Sequence, residues 1–132
     1  MGKKFDKVGI INFWIASSER DWKTMNNLVT SKDYAWALFL GHLVIEKLLK
    51  ALVVKHTSGH PPFTHNLASL ARNLELSLEQ KNWLEEITTF NLNARYDDVK
   101  MEFYKKCTKQ FTLDRIANIN GLRKWIKKEL SQ

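Results

Sequence analysis

From Tyr34 to Val54 the chain reads YAWALFLGHLVIEKLLKALVV, long enough to cross a bilayer and apolar around most of a helical circumference. Its centre nonetheless carries His42, Glu46, Lys47 and Lys50. A lysine at mid-membrane costs about 2.5–3.5 kcal/mol on insertion scales, so two lysines, a glutamate and a histidine exclude a membrane span. What remains is the central helix of a bundle, covered by other helices on most sides. His42, Glu46 and Lys50 follow one another at i, i+4 and i+8 and so line one edge of that helix. Glu46 precedes Lys50 by four, the favourable order for an ion pair. Leu38, Leu43, Ile45, Leu48, Leu49 and Leu52 are left to pack. The charged edge has two readings: it faces water, or it lines a groove that holds a ligand or a partner.

The rest of the chain is also helical in pattern. Its two prolines are adjacent, Pro61 and Pro62 in HTSGHPPFTH, and make the one clear break. A first helix is expected from about Lys4 to Val29, with Val8, Ile11, Ile15, Trp22, Met25 and Val29 inward. Ser31 is the expected N-cap of the second helix, with Asp33 in its first turn. A short third helix follows Thr64 and buries Leu67, Leu70, Ala71 and Leu74. Ser77 and Gln80 form a capping-box pattern for a fourth, with Leu78, Leu84, Ile87 and Phe90 inward. A last helix follows Thr112, with Leu113, Ile116, Ile119, Ile126 and Leu130 inward. Between the last two lies NARYDDVKMEFYKKCTK, whose periodicity is poor. No strand pattern competes, and 132 residues fit one domain over 1–132. The fold class is all-α: an antiparallel up-down bundle of four to five helices. The five tryptophans are expected as core or interface anchors.

Composition removes several function classes. The one cysteine, Cys107, makes neither an internal disulfide nor a thiolate cage, and points to a reducing compartment, the cytoplasm. The N-terminus is basic but lacks a long apolar stretch and a small-residue cleavage site, so no signal peptide is expected. His56, His60 and His65 straddle the proline pair at a spacing that fits no metal-ligand pattern. No glycine-rich phosphate loop or nucleophile elbow occurs, and clustered carboxylates for magnesium are missing. No metal or cofactor is therefore expected. The net charge is +7 and uneven: from Val99 onward nine Lys or Arg stand against three acids. Such an excess either attracts nucleic acid or is a solvated helix face.

Several of these pieces, in order, resemble the HEPN domain (higher eukaryotes and prokaryotes nucleotide-binding). An early helix carries Trp14, Ala16 and Asp21. The central helix carries Ala37, Phe39, His42, Glu46, Lys47, Leu49, Lys50 and Ala51 in the family's A-x-F-x-x-H-x-x-x-E-K-x-L-K-A pattern. Thr64, His65, Asn66 and Leu67 match its T-H-x-L, and Ala94, Arg95 and Tyr96 its A-R-Y, with Asp97 where many relatives have proline. The resemblance spans about the whole chain and implies a helical bundle that often forms homodimers. It also implies one of two roles. Small stand-alone members are partners of a minimal nucleotidyltransferase, in toxin–antitoxin-like pairs. Others are metal-independent RNases that pair an Arg with a His a short spacer later, across a dimer. Lys100, Met101 and Glu102 stand where that His would fall. Cleavage through the RNA 2′-OH needs a group that moves protons near pH 7; lysine is too basic unless buried and glutamate too acidic unless desolvated.

The expected function is a non-catalytic HEPN module that binds an ATP-like nucleotide or a nucleotidyltransferase subunit. Its binding residues are Arg95, Tyr96, Asp97, Lys50, Lys47, Glu46, His42 and His65. An RNase with a degenerate motif and a basic nucleic-acid-binding protein are the alternatives. Arg95 either grips phosphate with its planar guanidinium or pairs with Asp97, Asp98 or Glu46. Tyr96 either stacks on a base or packs between helices. His65, one residue past an N-cap at Thr64, either donates to a phosphate or fixes the proline loop.

Overall fold

Among the described residues, six helices follow one another: α1 Lys7–Thr30, α2 Tyr34–Thr57, α3 Leu67–Leu70, α4 Leu78–Asn93, α5 Asp97–Lys106 and α6 Lys109–Leu130. The computed structural model describes residues 5–132, so the expected start of the first helix at Lys4 lies outside them. The architecture is the expected all-α bundle. One of its helices, α3, is a single turn.

Helix α2 is the axis, and α1, α3, α4, α5 and α6 all pack on it. Leu38, Val44, Ile45, Leu48, Leu49, Leu52 and Val54 are buried along its length. Phe90, Leu84 and Ile87 of α4, Met25 of α1, and Ile119, Leu122 and Ile126 of α6 complete the core. Leu43 is half-buried. The axis and α6 approach closely at Gly41, where an added Cβ would stand 2.5 Å from Ile119 Cδ1 and 3.3 Å from Met25 Sδ. A side chain at that point would hold the helices apart.

The helix ends explain themselves locally. Asp6 caps α1, accepting from the Gly9 N–H at 3.0 Å. The turn to α2 runs through Lys32 in the left-handed region at φ 65°. Asp33, not Ser31, is the N-cap of α2, because Ser31 is spent on the end of α1: its N–H returns to Asn27 and its hydroxyl to Leu28 and Asp33. The Ser77–Gln80 capping box of α4 forms as the sequence predicts. Helix α6 starts earlier than expected, at Lys109, because Thr108 caps it through the Phe111 N–H. Its other end is held by Lys55 of α2, whose ammonium donates to the carbonyls of Glu129 at 2.8 Å, Leu130 at 3.2 Å and Gln132. These include carbonyls that a helix end leaves without intrahelical partners.

Several residues expected inward are exposed. Val8 and Leu78 sit in the first turns of α1 and α4 and are exposed. Leu113 is exposed because Thr112 takes the inward position of the first turn of α6, whereas Ile119 and Ile126 are buried as expected, with Leu122 beside them. Among the tryptophans, Trp36 is the exposed one, and the other four are half-buried. The segment of poor periodicity is helical as α5, whose buried side is little more than Phe103. So narrow an apolar stripe leaves almost no repeat to detect. Burial pushes the Cys107 thiol up to about 11, against a smaller opposite pull from Lys106, so it is unreactive at neutral pH.

Gly41→Val is expected to cost about 1–3 kcal/mol through overpacking against Ile119. Urea unfolding should show a lower midpoint with an unchanged slope.

Candidate functional site

The polar edge of α2 does not face water. His42, Glu46 and Lys50 are 0%, 4% and 8% exposed. The chain from Ser58 to Asn66, which holds the two prolines, crosses over this edge as a strap. Ser58 starts it in the left-handed region at φ 55°. His65 then fastens it at two points. Its Nδ1–H donates to Glu46 Oε1 at 2.7 Å, and its carbonyl accepts from His42 Nε2–H at 2.9 Å.

Glu46 is the hub. Lys50 Nζ donates to its other oxygen, Oε2, at 3.1 Å, forming the i, i+4 pair the spacing predicts. Both carboxylate oxygens are thus engaged, which is what a buried carboxylate requires. Lys50 also lies 5.3 Å from the centre of the Trp14 ring. His42 donates through Nε2, so its neutral ring leaves Nδ1 bare; that atom has no hydrogen-bond partner among the described residues and stands 3.9 Å from Glu46 Oε1. Burial holds the His42 pKa below its ordinary value. The His65 carbonyl and Glu46 oppose that pull, and the charges of His65 and Arg95 add to it.

The expected site residues therefore divide. His42, Glu46, Lys50 and His65 form one internal network. Lys47 points to the α1 side and pairs with Asp21 at 2.6 Å. Arg95 and Tyr96 lie together at the other end, past the C-terminus of α4. His65 is not on a first helical turn, because Asn66, rather than Thr64, caps α3. The side chain of Asp97 lies outside the described residues.

Arg95 makes none of the expected acidic pairs among the described side chains. Its partner is Asn91, one turn earlier: Arg95 Nε donates to the Asn91 carbonyl at 2.9 Å, and one Nη donates to the side-chain oxygen. The guanidinium lies 5.9 Å from the Phe39 ring centre and 5.5 Å from that of Tyr96. Arg95 and Tyr96 are exposed, whereas Asn91 is buried. A buried amide thus fixes an exposed cation. Asn91 is not among the residues expected from the sequence, although its i, i+4 spacing from Arg95 carries the signal. No group of His, Cys, Asp and Glu among the described residues is placed to hold a metal. No helix there is long and apolar enough to cross a membrane.

A family model, described as the HEPN domain, matches residues 11–130. No curated protein matches the chain. Among solved structures the chain is similar to the crystal structure of TT1696 from Thermus thermophilus, with a TM-score of 0.78 over 89% of this chain and 96% of that one. The sequence identity is 15%, so the likeness is one of fold.

Glu46→Ala is expected to destabilise the protein by about 3–5 kcal/mol, because it leaves Lys50 buried without its partner and removes one of the strap's two fastenings. Chemical unfolding would read the loss, and limited proteolysis should cut faster between Ser58 and Asn66. The His42 shift predicts a pH dependence. The unfolded chain takes up a proton near 6.5, whereas the folded chain resists it. The His42 contribution is thus complete above that pH and is lost as pH falls through the lower folded value. Melting temperature should drop on acidification below 6.5, and His42→Gln should flatten that slope.

Proposed function

The chain belongs to the HEPN domain family, and from that footing we propose that it is a non-catalytic nucleotide-binding module that serves a nucleotidyltransferase subunit. The observation that carries this reading is the posture of Arg95. Its Nε and one Nη are committed to Asn91, so the guanidinium is oriented before any ligand arrives. The other Nη has no partner among the described residues, and the exposed fork suits a phosphate. Tyr96 is 54% exposed beside it and supplies a face on which a base can stack.

The same end of the molecule exposes Leu92, Val99 and Met101 along α4 and α5. These apolar side chains support a protein surface next to the phosphate grip, for the nucleotidyltransferase or for a second copy of the chain. RNase chemistry is less well supported. Lys100, Met101 and Glu102 occupy the positions where the RNases carry histidine. His42, whose titration Arg95 influences, is 0% exposed and has no surface to offer a 2′-OH.

Calorimetric titration of ATP into the protein tests the reading. Hydrogen bonds to charged groups contribute about 1.5–3 kcal/mol, so Arg95→Ala should weaken binding by about ten- to a hundredfold. The circular dichroism spectrum should not change, because Arg95 is exposed. Absence of binding, or equal binding by the variant, would overturn the proposal.

A further inference from the structure

A cleft of about 260 Å³ opens between α1 and the proline loop. Phe13 and Trp14 face it from α1, Pro61, Pro62 and Phe63 from the loop, and Lys50 forms its polar end. It is remote from Arg95: Lys50 lies eleven residues along α2 from Phe39, the residue beside that guanidinium, or about 16 Å of helical rise.

Two features of the cleft are unexplained by packing. The Lys50 side chain is 10% exposed, and Glu46 Oε2 is its single hydrogen-bond partner among the described residues. An ammonium carries three donors, so two are available to a ligand in the cleft. Trp14 lies against the charge but offers no oxygen. The second feature is Phe63, which is fully exposed at the mouth. Phe13 is 58% exposed nearby. The prolines before Phe63 restrict the backbone that presents it.

Charge decides what fits. Glu46 already neutralises Lys50, and Asp21 pairs with Lys47. A carboxylate or phosphate entering the cleft would be desolvated beside Glu46, with no further lysine or arginine in the wall and His60, edge-on to Phe5, as its other ionisable side chain. A neutral carbonyl oxygen meets the idle donors without that cost. The walls are the rings of Phe13, Trp14, His60 and Phe63 with two pyrrolidines and Ile10, so the body that fits between them is flat and largely apolar-faced. The volume falls just below the range of pockets that hold drug-sized ligands, which suits one ring or a fused pair.

We propose that this cleft binds a planar heteroaromatic ring bearing a neutral carbonyl, of the lactam or carboxamide kind. The ring lies between the α1 aromatics and the proline loop, Phe63 covers it, and Lys50 Nζ donates to the carbonyl. The site stands independently of the Arg95 reading.

The test is an NMR titration of the full chain at neutral pH with uracil, nicotinamide, nicotinate and pyridine. Uracil is the lactam and nicotinamide the carboxamide, so whichever binds identifies the source. The other two probes share the nicotinamide ring, one with an added charge and one without the acceptor. At least one neutral carbonyl ligand should bind, with nicotinate and pyridine at least tenfold weaker than nicotinamide if the carboxamide is the ligand. Phe63→Ala should weaken binding severalfold without changing the melting temperature, because that ring packs on nothing. Lys50→Met should remove the preference for a carbonyl; if that variant does not fold, the ligand series and Phe63→Ala decide. Arg95→Ala should leave this binding unchanged. Failure of both neutral ligands to bind, nicotinate or pyridine matching the tighter neutral ligand, or no effect of Phe63→Ala would overturn the proposal.

Discussion

One buried carboxylate organises the molecule. Glu46 sits 4% exposed in the central helix, and a charge so placed is tolerated only when both oxygens are met. Lys50 meets one from the same helix. His65 meets the other from the strap, which His42 also holds through the His65 carbonyl. The need to satisfy Glu46 thus dictates where the strap lies. The strap in turn covers the polar edge and leaves a cleft on the Lys50 side.

The axis could not be apolar throughout without losing this fastening. Leucine at position 46 would pack, but the His65 ring would lose its partner, and the His42 bond to the His65 carbonyl would be left as the strap's tie to this edge. The remaining sides of α2 are ordinary core, tight enough at Gly41 that the absence of a side chain sets how closely α6 approaches. Polar and apolar constraints therefore act on the same helix from different sides.

Much of the architecture was legible in the sequence. The all-round apolar character of α2, the capping box at Ser77 and the Glu46–Lys50 pair each follow from spacing along one element, and spacing is what a sequence displays. Signals that depend on contacts between elements were not. The water-facing and groove-lining readings of the charged edge could not be separated, because the segment covering it lies beyond a proline break. Ser31 and Thr64 were attractive caps by residue type, but neighbouring Asp33 and Asn66 took the role. Arg95 carried two readings, a phosphate grip or a carboxylate pair, and neither pointed to the amide of Asn91 that holds it. Helix α5 escaped notice because a helix that buries one large residue has almost no period.

Lys55 links α2 to the end of α6 across more than seventy residues of chain. The turn between α1 and α2, by contrast, spans Ser31 to Asp33. Loop-closure entropy grows with the logarithm of length, so the first hairpin can assemble from local encounters while α6 must be recruited over a long tether. The connectivity thereby orders assembly. A preformed pair of helices supplies the surface, and the last helix is clasped to it toward its far end by Lys55 of α2 and by Glu19 of α1, which pairs with Arg123 and Lys127.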